Sequence, residues 1–398
     1  MRSSTAAVVL VALLAGCGGG HELTVQVTPR VSLADEPVHV RVEGAEAGAL
    51  VSVALRSTDA AGAVWRSSAS FRADAGGRVE LDRARPARGD YAEAWGMGLV
   101  GSLRPVDGLG LYAWAGARPL AFEVAARAPH RDAAAATFRR RLSPRPLARQ
   151  RLSLVREGFL GEYVALSGGG RRPAVLVFGG SEGGLSDYTV ARAATLAAHG
   201  YPALALAYFG EPGLPKHLYR IRLEYFERAL RWLSRRQEVD PTRVLTFGTS
   251  RGSEAALLLG VSFPRLVYGA IAAVPSNAAR WVGWTIDGKD IPSTKLRDPR
   301  ATDDPRALIP AERIRGPVFA YCAARDEVWP SCAYARALAQ RLRRHRQPHT
   351  LRLLDGAYHY AGALSPYGIS SARGAVPTER AVERLWPRLL AFLREARR

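Results

Sequence analysis

Arg243-Val-Leu-Thr-Phe-Gly-Thr-Ser-Arg-Gly-Ser-Glu-Ala-Ala-Leu-Leu-Leu259 is the stretch whose reading decides the fold. An apolar, β-prone run enters Gly248-Thr249-Ser250-Arg251-Gly252, and a helix-forming run leaves it. This is G-x-S-x-G between a strand and a helix, the turn that lifts a serine hydroxyl above a sheet. The turn is tight, so its flanking positions favour glycine. It aims the N–H of the following residue, here Arg251, at a reacting oxygen.

The pattern occurs twice, since Gly179-Gly180-Ser181-Glu182-Gly183 also fits. Position separates the two. Residues 174–178 predict a strand, 187–199 a helix, 202–208 a strand, 218–236 a helix and 243–247 a third strand. No helix follows Ser181 directly. Ser250, after the second crossover, fits the nucleophile slot, and Ser181 fits the loop that supplies an oxyanion donor. Strands and helices alternate from Pro173 onward, which implies a mainly parallel sheet covered by helices on both faces, an α/β hydrolase. A serine capping a buried helix is the competing account of Ser250.

A serine hydroxyl needs an adjacent base, and the base needs an orienting carboxylate. Asp326 lies in Ala323-Ala-Arg-Asp-Glu-Val-Trp-Pro-Ser331, past a strand expected at 317–321. His359 lies in Asp355-Gly-Ala-Tyr-His-Tyr360, past the last strand, expected at 349–354. The order Ser250, Asp326, His359 is the one this fold uses. Glu327 is a second candidate for the acid. The oxyanion donors are expected to be the backbone N–H groups of Arg251 and Ser181. No metal or organic cofactor is implied, because the cysteines and histidines form no ligand cluster.

Ahead of this unit, residues 23–125 alternate apolar and polar residues at period two between turn signals such as Asp59-Ala-Ala-Gly62. They predict an immunoglobulin-like all-β sandwich. Residues 126–150 read as a basic linker, and 151–398 as the catalytic domain, opening with a hairpin. Within it, 275–313 is expected as a cap or pocket wall and 380–394 as a closing helix.

Residues 1–17 carry an address: Arg2, an apolar run at 6–14, then Leu14-Ala15-Gly16-Cys17, which resembles a bacterial lipobox. The apolar run is too short to span a bilayer. Cys17 is the expected lipidation site, which places the mature chain on a membrane in the cell envelope, outside the cytoplasm. In that oxidising setting Cys322 and Cys332 could pair. The net charge of +20 comes almost wholly from arginine, with only three lysines. No nucleic-acid motif accompanies it, so a nucleic-acid partner is not expected; attraction to anionic membranes or substrates is.

Taken together, these residues resemble the acyl-CoA thioesterase / bile acid-CoA:amino acid N-acyltransferase family. The likeness runs through Arg88-Gly-Asp-Tyr91, Met97-Gly-Leu99 and Ser102-Leu-Arg-Pro105 in the first unit. In the second it runs through Phe178-Gly-Gly-Ser-Glu-Gly-Gly-Leu185, Ala205-Leu-Ala-Tyr-Phe-Gly210, Leu214-Pro-Lys216, Leu223-Glu-Tyr-Phe226, Asp326-Glu-Val-Trp-Pro-Ser331 and Ala357-Tyr-His-Tyr360. The resemblance implies a β-sandwich followed by a hydrolase domain that acts on small-molecule acyl thioesters. It also implies that a serine nucleophile favours hydrolysis over transfer to an amine. An exported chain departs from intracellular acyl-CoA chemistry, which leaves another acyl ester, thioester or amide as a candidate substrate and a non-catalytic envelope-binding role as the rival class.

Overall fold

The computed structural model describes residues 22–108, 110–168, 170–298, 303–362 and 374–396. The 1–17 leader with Cys17 lies outside the described residues.

Period-two alternation in the first third becomes two facing sheets. The strands are β1 (Thr24–Thr28), β2 (Val31–Leu33), β3 (His39–Glu43), β4 (Leu50–Thr58), β5 (Val64–Arg72), β6 (Val79–Glu80), β7 (Arg88–Gly89), β8 (Arg104–Pro105), β9 (Leu120–Arg127) and β10 (Ala134–Arg141), with one short helix, α1 (Gly98–Gly101). One sheet runs β1-β3-β6; the other runs β2-β10-β9-β4-β5-β7, with β8 beside β5. Val51, Val53 and Leu55 of β4, Trp65 and Phe71 of β5, and Phe122 and Phe138 of β9 and β10 point into one core with Val40 and Val42 of the smaller sheet.

The stretch 126–150, expected as a linker, differs. Most of it is sheet: β10 pairs antiparallel with β9 and parallel with β2. Phe138 stacks on Phe122 with centroids 5.3 Å apart. Arg140 is fully enclosed and donates from Nη2 to the carbonyls of Ala34 at 2.9 Å and Glu36 at 2.6 Å. The basic composition hid a strand because an inward-facing arginine is satisfied by carbonyls rather than water. The connection between the two units is only 142–146.

The second unit continues with β11 (Leu147–Leu152), α2 (Leu154–Glu157), β12 (Leu160–Leu166), β13 (Arg172–Phe178), α3 (Asp187–Ala198), β14 (Ala203–Ala207), β15 (Ile221–Arg222), α4 (Leu223–Ser234), β16 (Val239–Thr249), α5 (Arg251–Ser262), β17 (Gly269–Ala273), β18 (Trp284–Ile286), β19 (Lys289–Asp290), β20 (Val318–Ala323), α6 (Ser331–Arg344), β21 (His349–Leu354) and α7 (Ala375–Glu395). Eight strands form one sheet in the order β11-β12-β14-β13-β16-β17-β20-β21. The pairs from β14 to β21 are parallel, and β12 is antiparallel to both neighbours. This is the α/β-hydrolase fold.

Each helix meets the sheet along an apolar stripe. In α4, Leu223, Phe226, Leu230 and Leu233 recur at spacings of three and four and are buried. Phe226 sits among Phe178, Tyr208 and Trp284, with ring centroids 5.1 to 6.2 Å away. Truncating such a ring costs about 3–5 kcal/mol. Residues of α4, α5 and α6 pack with one face of the sheet, and those of α3 and α7 with the other. α7 begins at Ala375, five residues before the expected start. Pro377 is tolerated there because the first turn's N–H groups lack intrahelical partners anyway.

In the segment 275–313, expected as a cap or pocket wall, the described residues pack onto the second unit. Trp284, Ala278 and Ala279 are buried, and β15-β18-β19 form a small sheet over α4. The two units share a polar seam: Trp95 Nε1 donates to Glu383 of α7 at 2.5 Å, and Trp386 Nε1 donates to Asp35 at 2.7 Å. Asp35 also bonds the His199 ring. Burial would raise the Asp35 carboxyl, but the His199 bond and charge outweigh it and hold it below the usual carboxylate range.

Candidate active site

The strand-to-helix turn puts Ser250 in a backbone conformation that non-glycine residues rarely adopt, φ 54° and ψ −122°. β16 arrives at Thr249 and α5 leaves from Arg251, so Ser250 projects from the carboxyl edge of the sheet. The flanking glycines are obligatory. A Cβ on Gly248 would lie 2.1 Å from the Gly252 carbonyl oxygen, and one on Gly252 would lie 2.0 Å from the Gly179 carbonyl oxygen.

The imidazole of His359 bridges two side chains. Its Nε2 is 2.9 Å from Ser250 Oγ, and its Nδ1 is 2.8 and 2.9 Å from the two Asp326 oxygens. Asp326 also accepts the backbone N–H groups of Val328 and Trp329, each at 3.1 Å, and its side chain is only 3% exposed. With an acid on Nδ1, the ring carries its proton there, and Nε2 is left to accept from the serine hydroxyl. His359 opens a 3-10 turn, His359–Gly362, after β21. The Trp329 ring stands edge-on to it at 6.0 Å and is anchored by Nε1 donating to the Val274 carbonyl at 3.1 Å. Glu327, the other candidate acid, accepts the His359 backbone N–H at 3.0 Å instead of facing the ring.

The 179–184 loop lies against the turn: a Cβ on Gly180 would be 2.9 Å from Ser250 Cβ. Tyr208 O–H donates to the carbonyls of Gly179 at 3.1 Å and Gly180 at 2.9 Å. The Gly180 N–H is taken by Glu182 Oε2 at 2.8 Å. The Arg251 N–H is the first of α5, where an N–H has no acceptor inside its own helix and the helix dipole is positive. Ser181 is exposed on a turn that no helix directly follows.

Cys322, at the end of β20, and Cys332, at the start of α6, are joined in a disulfide with Cα atoms 4.9 Å apart. The bridge closes the loop that holds Asp326. Among the described residues no three His, Cys, Asp or Glu side chains gather as a metal site, and no helix is long and apolar enough to cross a membrane.

Sequence reasoning missed the buried charges behind the turn. Arg251 turns its side chain inward, where Nη2 donates to the Arg280 carbonyl at 2.6 Å and the guanidinium lies 5.0 Å from the Trp281 ring. Glu254, one turn on, accepts Trp284 Nε1 at 2.8 Å and the Arg280 N–H at 3.2 Å. Burial pushes its carboxyl up to about 7, partly opposed by Arg251. On the other face, Arg192 sits fully enclosed on α3. The available signal was a lone ionisable residue inside an apolar helical run, Ala191-Arg192-Ala193 and Ser253-Glu254-Ala255.

The comparisons with known proteins agree with this architecture. Residues 35–153 match the model of the acyl-CoA thioester hydrolase/BAAT N-terminal region, and residues 221–284 and 272–367 match the BAAT / acyl-CoA thioester hydrolase C terminal. The chain is 30% identical to human acyl-coenzyme A thioesterase 1 over 345 residues, covering 80% of each chain. It is 28% identical to the mitochondrial acyl-coenzyme A thioesterase 2 of rat over 403 residues, covering 90% of this chain and 86% of that one. Among solved structures, a carboxylesterase from Lactobacillus plantarum aligns with a TM-score of 0.44 at 16% identity, covering 63% of this chain and 97% of that one. By its likeness to these family models and relatives the chain is a hydrolase, and it belongs to the acyl-CoA thioester hydrolase/BAAT family.

Proposed function

We propose that this chain hydrolyses acyl thioesters of the acyl-CoA type through an acyl-enzyme on Ser250. The observation that carries the proposal is the continuous path from Ser250 Oγ through His359 to Asp326. His359 Nε2 takes the hydroxyl proton as Oγ attacks the thioester carbonyl, and Asp326 stabilises the imidazolium that forms. The carbonyl oxygen gathers negative charge between the N–H groups of Arg251 and Ser181, donors of a kind whose loss costs about 3–4 kcal/mol each. The C–S bond breaks, and the imidazolium proton goes to the departing thiolate. Water then gives its proton to His359 and attacks the acyl-enzyme, releasing the acid and regenerating Ser250. The family match supports the thioester class.

The lipobox-like run at 14–17 favours a second reading, in which the same residues cleave an extracytoplasmic acyl ester or amide. A panel of acyl-CoA thioesters, p-nitrophenyl esters and acyl amides tests both on the purified mature chain. Preference for acyl-CoA by kcat/KM supports the first, and preference for oxygen esters or amides supports the second. No turnover and no reaction with a fluorophosphonate would leave a non-catalytic envelope-binding protein.

We also propose that the mature chain is anchored to a bacterial membrane by lipid on Cys17. One acyl chain binds only marginally, so stable anchoring calls for the several chains of a bacterial lipoprotein. Fractionation tests it: wild type partitions with membranes, and Cys17→Ser is released or left unprocessed. Wild type that is soluble and still bears Met1 contradicts the proposal.

A further inference from the structure

The enclosed guanidinium of Arg192 ties together the segments that carry the candidate catalytic residues. Arg192 Nη1 donates to Thr249 Oγ1 at 2.8 Å, and Thr249 is the residue before Ser250. Thr249 Oγ1 donates in turn to the Gly362 carbonyl at 2.7 Å, at the end of the turn that His359 opens. Arg192 Nη2 donates to that same Gly362 carbonyl. The three groups close a ring of hydrogen bonds in the protein interior. The guanidinium also lies 4.4 Å from the Phe247 ring, on the strand that leads into the turn.

Arg192 sits on α3, which starts at the Ser186 cap just after the 179–184 loop. One side chain therefore links the oxyanion loop's helix, the Ser250 strand and the His359 turn. The contact to the His359 turn is close: a Cβ on Gly362 would lie 2.6 Å from Thr249 Cγ2 and from Val274 Cγ2. A buried guanidinium is an expensive way to fill space unless its hydrogen bonds set geometry that an apolar side chain would leave free. Its acceptors here are a hydroxyl and a carbonyl rather than a carboxylate.

We infer that Arg192 is a positioning residue, which through Thr249 and Gly362 holds Ser250 and His359 at the separation that proton transfer requires. The inference rests on Ser250 being the nucleophile. Misplacing reacting groups by an ångström can cost about 100-fold in rate without changing substrate binding.

The test uses the full mature chain and the variants Arg192→Met, Arg192→Lys, Thr249→Val and Arg192→Met/Thr249→Val, with folding checked by circular dichroism. Two rates are measured: fluorophosphonate labelling mapped to Ser250, and kcat and KM on p-nitrophenyl butyrate. Arg192→Met is expected to lower kcat and the labelling rate about 10- to 100-fold with KM within about twofold. Arg192→Lys, which keeps one donor, falls between it and wild type. The double variant loses less than the product of the single losses, since both act through one ring of bonds. Wild-type rates in folded Arg192→Met, or a loss confined to KM, overturn the inference. If Arg192→Met does not fold, Thr249→Val decides, and wild-type rates there overturn it equally. A wild-type chain that neither labels at Ser250 nor turns over overturns the hydrolase proposal itself, and the inference with it.

Discussion

Arg251 Nε and Glu254 Oε1 lie 3.0 Å apart, both buried beneath the cap, one turn into the helix that leaves Ser250. The pair fastens that helix to the cap through the Arg280 backbone and Trp284. Burial dominates the Glu254 carboxyl and raises it from 4.5 to about 7. A folded-state pKa above the unfolded value stabilises the fold fully below the unfolded pKa, and that contribution is lost as pH rises through the folded one. The stability of wild type relative to Glu254→Gln should therefore fall between about pH 4.5 and pH 7. At 1.36 kcal/mol per unit, the fall is of the order of 3 kcal/mol. Urea unfolding of both proteins across that range measures it. A difference that stays flat with pH would mean that the carboxyl titrates normally.

Asp326 and Glu327 are adjacent in sequence but meet His359 differently, one on the ring and one on the backbone N–H. Asp326→Asn should lower kcat by about 10⁴-fold, because an amide on Nδ1 favours the wrong tautomer. Glu327→Gln keeps an acceptor for the His359 N–H and should stay within a few-fold of wild type. Steady-state kinetics on the best ester substrate separates them. Comparable losses in both variants would mean that the two carboxylates share the role.

Ser250 and Ser181 occupy the two G-x-S-x-G sites, and of these two serines it is Ser250 that hydrogen-bonds the His359 ring. Ser250→Ala should abolish turnover and fluorophosphonate labelling while leaving the unfolding midpoint nearly unchanged, since it removes one hydroxyl from a turn held by backbone bonds. Ser181→Ala should retain most activity, because a backbone N–H is the expected contribution there. The reverse pattern would transfer the nucleophile to Ser181.

Ser250, Asp326 and His359 were legible because each sits just past an apolar run whose length and turn signals mark a strand end. The β21 span of 349–354 could be read without error for the same reason. Other boundaries shifted where tertiary contacts compete with pattern. α4 starts at Leu223 rather than 218 because Arg220 takes φ 51° and Ile221 pairs with Trp284 of the cap. β10 was hidden by its arginines, and Arg192 and Glu254 by the rule that charge lies outside. A buried charge is decided by which partners the fold brings to it. Arg140 meets carbonyls more than 100 residues away, and no local window contains them.

The Cys322–Cys332 bridge ties the end of β20 to the start of α6, and Asp326 lies between them. The loop is short, and closing it should stabilise the protein by about 2–3 kcal/mol through the entropy of the unfolded chain. The larger consequence is local. Asp326 takes its place from the Val328 and Trp329 N–H groups, which the same loop supplies, so loosening the loop moves the carboxylate away from Nδ1. Reduction, or Cys332→Ser, should lower both the thermal midpoint and kcat, the latter several-fold, with KM little changed. Thiol titration of the denatured, unreduced protein tests the bridge: neither Cys322 nor Cys332 should react. Two free thiols at Cys322 and Cys332 would remove the bridge and this prediction, and would leave the contacts of Ser250, His359 and Asp326 as they stand.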